Sequence, residues 1–144
     1  MKKILASVLV ISFAFVLVGC AKGEKFKKDI FDLVEENYEA IIQACQDKDA
    51  DALYAIDEIK KVDIVKGYVL MYCKGAGWGP STQYYGFYYT EENRPVAVDC
   101  NQDILCDTEE LTPEGNGYQY IDRSYNIFHT EHIKGNIYFY KAYY

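Results

Sequence analysis

The chain that follows Ile64 is dominated by aromatic and β-branched residues, and this feature constrains the fold more than any other. It holds most of the 15 tyrosines of the 144-residue chain. Such residues favour the pleated, half-buried surface of a β-sheet. Short turn sequences such as Asn116-Gly117 and Gly135-Asn136 imply that neighbouring strands run antiparallel. The predicted strands are residues 67–73, 83–89, 95–99, 117–121, 127–133 and 136–144.

The region ahead of these strands has the period of a helix. Apolar residues recur in steps of three and four between Phe26 and Cys45, with acidic residues between them. Asp49 can cap a shorter second helix that ends near Lys61. A helical hairpin has to bury its apolar surface, and one sheet face is available for this. The predicted fold is therefore α+β, with an N-terminal helical hairpin on one face of an antiparallel, tyrosine-rich sheet of about five or six strands.

The first nineteen residues have the pattern of a signal peptide. Lys2 and Lys3 precede an apolar run over residues 4–18, which is shorter than the roughly 20 residues of a comfortable membrane span. Leu17-Val18-Gly19-Cys20 resembles the bacterial lipobox. The resemblance implies cleavage before Cys20, lipid attachment to that cysteine, and a position on the extracytoplasmic face of the cell membrane. The predicted organisation is a signal peptide over 1–19, a lipidated cysteine and basic tether over 20–28, and one α+β domain over 29–144.

The charge of the chain limits its partners. The formal net charge is −7, which argues against nucleic acid as a ligand. The expected partners are the membrane, through the anchor, and a glycan, a peptide or another protein.

Four further cysteines are candidates for disulfide bonds, because disulfides are permissible in an exported protein. The spacing favours a pair between Cys100 and Cys106, which would close a short loop. The other pair, Cys45 with Cys73, would tie a helix to the sheet. The alternative is that all four are small buried residues.

Several aromatic segments together suggest a relationship. The segments that resemble small secreted bacterial proteins of unknown function are Tyr68–Cys73, Gly75–Ser81, Tyr84–Thr90, Pro95–Val98 and Asn136–Tyr140. This resemblance implies no particular activity.

An aromatic contact surface is the leading hypothesis for binding. The glycines around Trp78 can lift that side chain toward solvent for recognition, but a plain turn between strands is the favoured interpretation, and an anion site is the least favoured. Strand alternation places Tyr84 and Tyr88 on the face opposite Tyr85, with Gly86 between them. If the helices cover one face only, Tyr84 and Tyr88 would be exposed for stacking on sugars or peptides. Gly86 would then leave a shallow floor, unless an overlying aromatic ring requires it.

An acidic stretch has the ligand spacing of a calcium-binding EF-hand loop. Its sixth position is Ile104 and not the glycine that the sharp turn needs, so a solvated acidic loop is the favoured interpretation and calcium the alternative. Apart from calcium, no cofactor is expected. The five candidate ligands are Asp99, Asn101, Asp103, Asp107 and Glu110.

The two histidines of the chain are the remaining candidates for chemistry. His129 and Glu131 share one side of a predicted strand, while His132 points to the other. An acid/base pair is conceivable, but ordinary strand residues are the favoured interpretation. The sequence thus predicts a lipid-anchored binding module in preference to an enzyme, with a calcium-stabilised domain or a hydrolase using His129 and Glu131 as alternatives.

Overall fold

The computed structural model describes residues 2–77 and 81–144, with side chains described from residue 22 onward. The chain begins with a long helix and continues into β-strands. A short 3₁₀ helix, Thr108–Glu110, lies between two of the strands. The elements are α1 (Lys2–Asp47), α2 (Ala50–Tyr54), β1 (Lys61–Val65), β2 (Tyr68–Ala76), β3 (Gln83–Thr90), β4 (Ala97–Val98), β5 (Ile104–Cys106), β6 (Thr112–Glu114), β7 (Gly117–Ile121), β8 (Ile127–Lys134) and β9 (Ile137–Tyr143).

The strands form one large sheet and one small sheet. The large sheet has the order β1-β2-β3-β9-β8-β7-β6, and each neighbouring pair is antiparallel. β4 and β5 form a separate two-stranded sheet. The predicted α+β class with an antiparallel sheet is confirmed. The sheet has seven strands. Five of them correspond to predicted strands, whereas the two edge strands, β1 and β6, were not predicted.

The prediction of a helical hairpin is wrong. The structure has one long helix, α1, whereas α2 has only five residues. Asp49 does cap α2, since its side chain accepts the N–H of Ala52. Ile56 and Ile59 still contribute to the core, but they do so from the turns that lead into β1. No helix in the described residues has both the length and the apolar content needed to cross a membrane.

The main core lies between α1 and one face of the large sheet. Residues of α1 at helical spacing, such as Ile30, Val34 and Ile41, are fully buried there. Their partners on the sheet alternate along β2, β3 and β9, as pleating requires. These sheet residues include Val69, Met71, Cys73, Tyr85, Phe87, Tyr89, Ile137 and Phe139.

The opposite face of the sheet is covered as well. Val96 and Val98, which flank or form β4, pack on Leu70, Tyr88 and the two buried tyrosines of β9, Tyr138 and Tyr140. A smaller cluster continues this layer toward β8 and includes Ala97, Cys106, Leu111, Phe128 and Ala142. The segment from residue 95 to 111 therefore shields a face that the sequence analysis expected to be open.

α1 crosses the sheet from one end to the other. We call the end formed by Ala76, Gln83, Ile121, Ile127 and Tyr143 the proximal end, because the first described side chains of α1 lie near it, and the opposite end the distal end.

Contacts along the helix fix this direction. Gly23 lies against the Tyr85 hydroxyl near the proximal end, and Tyr38 reaches Gly135 in the distal β8–β9 turn. Between them α1 bends at Asn37 (φ −114°, ψ 16°), whose amide donates to the Leu33 carbonyl at 2.9 Å. The predicted tether, residues 20–28, is thus part of helix α1, and it packs on the sheet through Phe26.

Candidate functional site

Tyr88 lies in the core and not on an exposed surface. Its side chain has 0% exposure. The hydroxyl accepts the N–H of Val96 at 2.8 Å and shares a hydrogen bond with the Thr130 hydroxyl at 2.7 Å. Burial raises the pKa of Tyr88 above its ordinary value. The prediction that Tyr88 belongs to an open sheet face is therefore wrong, because the chain folds back over that face after β3.

Gly86 is explained by an overlying ring. A side chain at this position would overlap the Met71 carbonyl oxygen and the ring of Tyr140, its cross-strand partner on β9. The glycine therefore accommodates Tyr140 and leaves no floor for a ligand, which was the other possibility.

Tyr84 remains partly accessible and lies in a group that we call the tyrosine cluster, made of Tyr72, Tyr84 and Tyr144. All three side chains are half-buried. The ring centroid of Tyr84 is 6.2 Å from that of Tyr72 and 6.0 Å from that of Tyr144. The hydroxyl of Tyr144 accepts the N–H of Cys100 at 3.0 Å. Trp78, the other predicted contact residue, lies outside the described residues.

Sequence reasoning did not find Tyr72 and Tyr144. Tyr72 pairs with Gly86, which lies two residues from Tyr84 on the same face of β3, and this placement depends on the β2–β3 pairing register. Tyr144 follows the last residue of β9 and reaches the cluster from the end of a strand. Register and strand ends are properties of the folded sheet, and no local pattern in the sequence signals them.

The acidic stretch is not arranged as a set of calcium ligands. Asp99 Oδ1 accepts the N–H groups of Asn101 and Asp103, each at 2.8 Å. Asp107 and Glu110 form a capping box at the short 3₁₀ helix. Among the described residues, no group of three or more histidine, cysteine or acidic side chains is placed to hold a metal ion.

A second turn in the chain has the same geometry as the turn that begins at Asp99. Asp122 Oδ1 accepts the N–H groups of Ser124 and Asn126, and the fourth residue of the turn, Tyr125, has a positive φ of 65°. The Asp99 turn has the same bonds, with Gln102 at φ 67°. Both are turns in which a left-handed residue completes the reversal between two strands. An aspartate at the first position stabilises such a turn through its own side chain.

His129 and Glu131 lie together with two residues that the sequence did not connect to them. His129 Nδ1 is 3.2 Å from a carboxylate oxygen of Glu114, and its Nε2 is 3.7 Å from Glu131. Glu131 also accepts a hydrogen bond from the Lys27 ammonium group of α1 at 2.5 Å. Protons can exchange within such a group, but both imidazole nitrogens already face carboxylates. The group joins α1 to the sheet.

All four predicted disulfide residues are free thiols in the structure, so neither predicted bond is present. Burial raises the pKa of Cys45 and of Cys73 to about 12. Cys106 is also buried and its pKa is raised, whereas Cys100 is half-buried. The arrangement fits the alternative of small buried residues. The side chain of Cys20 lies outside the described residues.

A comparison with protein-family models, with curated proteins and with solved structures finds no match to this chain.

Proposed function

We propose that the protein is a lipid-anchored, extracytoplasmic binding module that contacts a glycan or peptide through the tyrosine cluster. One observation carries the proposal: α1 already packs on the sheet at Gly23, beside Tyr85, three residues after the cysteine of the lipobox-like sequence. Three residues span at most about 11 Å even when fully extended. Lipid on Cys20 would therefore hold the domain directly at a membrane surface, where tethering raises its effective concentration toward neighbouring ligands.

The tyrosine cluster supports the binding part of the proposal. Tyr72, Tyr84 and Tyr144 are half-buried, so their rings are held by packing while part of each stays accessible. Rigid aromatic side chains lose little conformational entropy on binding, and they offer both a flat apolar face and a hydroxyl. Sugar rings and extended peptides are the ligands that such a surface suits. The cluster replaces the Tyr84–Tyr88 face as the proposed contact surface.

The two alternative functions receive less support. A hydrolase would use His129 and Glu131, but Glu131 already binds Lys27 and both ring nitrogens of His129 face carboxylates. A calcium-stabilised domain would use the Asp99 loop, but Asp99 Oδ1 already accepts two backbone N–H groups. Binding by the tyrosine cluster needs no such rearrangement.

The experiment tests the anchor and the binding surface separately. The full chain is expressed in bacteria with labelled fatty acid, and Cys20→Ser is expected to abolish both the label and sedimentation with membranes. The detergent-solubilised protein is then screened on glycan and peptide arrays. Tyr84→Ala should remove binding of any ligand found, whereas Tyr118→Ala, an exposed tyrosine of β7, should not. Lipid label on the Cys20→Ser variant would contradict the anchor. Array binding that Tyr84→Ala leaves unaffected would contradict the binding surface.

A further inference from the structure

The proximal end of the sheet carries an uncovered apolar row. Ile121, Ile127 and Tyr143 are successive cross-strand partners on β7, β8 and β9, so their side chains lie on the same face. This is the face on which α1 packs, because Ile137, Phe139 and Tyr143 are an even number of residues apart along β9 and so point to the same side. The exposed fractions of Ile121, Ile127 and Tyr143 are 49%, 39% and 38%. We call these three residues the apolar row.

A further aromatic residue extends this row at the tip of the sheet. Tyr125 lies in the β7–β8 turn, which links Ile121 to Ile127, and it is 86% exposed. Its positive φ is part of the turn geometry that Asp122 stabilises. The next row inward on the same face is polar and contains Gln119, His129 and Lys141. The apolar surface is therefore confined to the last row and the turn beyond it.

The N-terminal part of α1 and the apolar row lie at the same end of the sheet. Gly23 and Phe26 of α1 lie against Tyr85, which is two residues from Gln83 at the proximal end of β3. The chain therefore joins the domain at the end that carries the apolar row. If lipid is attached to Cys20, this end is the part of the domain nearest the bilayer.

The charges around the proximal end suit a lipid surface. Lys22, Lys25 and Arg123 are exposed there. Glu24 is exposed beside them, while Asp122 is engaged by the amide groups of its own turn. Basic residues beside exposed aromatic and aliphatic side chains are typical of surfaces that rest in the head-group region of a membrane with anionic lipids.

We infer that the apolar row and Tyr125 form a membrane-docking surface, which seats the proximal end of the domain in the head-group region of the bilayer that holds its anchor. This inference rests on the proposed lipid anchor at Cys20. Docking fixes the orientation of the domain as well as its distance from the membrane. The tyrosine cluster extends from the opposite sheet face, because Tyr84 alternates with Tyr85 along β3, so a docked domain can still present that cluster to a ligand.

The test places a fluorescent reporter at each end of the sheet. The lipidated full chain is reconstituted into phosphatidylcholine and phosphatidylglycerol vesicles whose acyl chains carry bromine, which quenches nearby tryptophan. Trp78→Phe removes the native tryptophan. Tyr125→Trp then reports on the proximal end, and Val65→Trp, at the distal end of β1, is the control. We expect a shift to shorter wavelength and loss of emission at position 125, with neither change at position 65.

A matched pair of substitutions tests whether the row causes the docking. Ile127→Asp is expected to restore the emission at position 125. Ile64→Asp should leave the emission quenched, since Ile64 lies on the same sheet face at the distal end with 37% exposure, against 39% for Ile127. Far-ultraviolet circular dichroism and melting temperature establish that both variants fold.

Three outcomes would overturn the inference, and they have distinct signatures. Unquenched emission at position 125 in protein that floats with the vesicles would reject docking and leave the anchor intact. Failure of the protein to float would reject the anchor and the docking together. A concentration-dependent shift of position 125 in detergent without lipid would show that a second copy of the chain covers the row.

Discussion

At the residue scale, the side chains that looked most like a catalytic or metal site serve the fold. Asp99 and Asp122 occupy the same position in two turns of the same geometry, and each accepts two backbone N–H groups. Glu131 is a buried carboxylate that receives the ammonium group of Lys27. Removal of one partner from a buried ion pair is strongly destabilising, because it leaves an uncompensated charge in the folded state.

Replacement of Lys27 should therefore destabilise the protein. Lys27→Ala leaves Glu131 without its cation and also removes the contact of the lysine with the Phe31 ring. The Lys27 and Glu131 side chains are 28% and 10% exposed, so we expect a loss of about 2 kcal/mol, between the values for exposed and fully buried pairs. Urea denaturation measures the change in the free energy of unfolding.

The neighbouring lysine provides the matched control. Lys28 pairs with Asp32 on the solvent side of α1, where both side chains are well exposed. Lys28→Ala should leave the free energy of unfolding nearly unchanged. Equal effects of the two substitutions would show that the Lys27–Glu131 pair makes no special contribution.

At the element scale, one helix and a wide sheet replace the expected helical hairpin and narrower sheet. Lys48 adopts a left-handed conformation (φ 56°) between α1 and α2. Residues 53–59 have helical spacing, but α2 ends at Tyr54. The chain then has to turn early enough for β1 to pair with β2. The hydroxyl of Tyr54 accepts the N–H of Val62 at 3.0 Å and so secures this turn. Pairing along an entire strand outweighs a weak local helical preference.

Close contact between β3 and its neighbours should make Gly86 intolerant of a side chain. In Gly86→Ala the new methyl group would meet the Tyr140 ring at 2.6 Å as well as the carbonyl of Met71. Tyr140 is fully buried and cannot move without disturbing the second core. We expect a loss of about 3 kcal/mol, at the upper part of the range for overpacked cores, measured by urea denaturation.

Gly115 is the control for this substitution. A methyl group there would meet no atom within 4 Å, although the positive φ of 57° strains any other residue. Gly115→Ala should therefore cost only about 1 kcal/mol. An effect of Gly86→Ala as small as this would mean that Tyr140 does not lie over the glycine.

At the scale of the whole molecule, the sheet is enclosed on both faces. α1 covers one face and the segment around β4 and β5 covers the other. Titratable side chains are therefore buried in both layers: Cys45 of α1 and Cys73 of β2 between α1 and the sheet, and Tyr88 and Tyr140 beneath β4. Burial raises the pKa values of all four. The accessible part of the surface is left at the edges and the ends of the sheet.

This burial predicts a loss of stability in alkaline solution. The pKa of Cys45 and of Cys73 is about 12 in the folded state, against an ordinary value of 9.0. Between these values the unfolded chain releases protons that the folded chain retains, so the free energy of unfolding falls as the pH rises. Each thiol should contribute about 1.4 kcal/mol per pH unit to the fall. Denaturation series at pH 8, 9, 10 and 11 measure it.

A cysteine variant separates this contribution from that of the tyrosines. Cys73→Ala should lower the stability at pH 8 but reduce the slope above pH 9. An unchanged slope would contradict the presence of a buried free thiol at Cys73. A steeper slope would point to a disulfide between Cys45 and Cys73, because the substitution would then release the Cys45 thiol. Mass spectrometry after alkylation of the unfolded protein distinguishes the two cases.

The sequence predicted the strands of the large sheet closely. Strand β7 was predicted with its observed bounds, the predictions for β3 and β8 differ from the structure by one residue at one end, and that for β9 by one residue at each end. Alternation also assigned Tyr85, Phe87 and Tyr89 to one face, and these residues form part of the core beneath α1. The helical character of residues 26–45 followed in the same way. Period and turn residues act over a few neighbours, and a single chain displays them directly.

Only the tertiary structure decided which surfaces are open. The short aliphatic and acidic segments of residues 95–111 gave no sign that this part of the chain covers Tyr88. No local pattern brings Lys27 to Glu131 across 104 positions of the chain. The sequence by itself determined the α+β class, the strand periods and the resemblance to a lipobox at Cys20. The folded chain determined the rest, because burial depends on contacts between distant segments, and those contacts exist only once the sheet and its two covering layers have assembled.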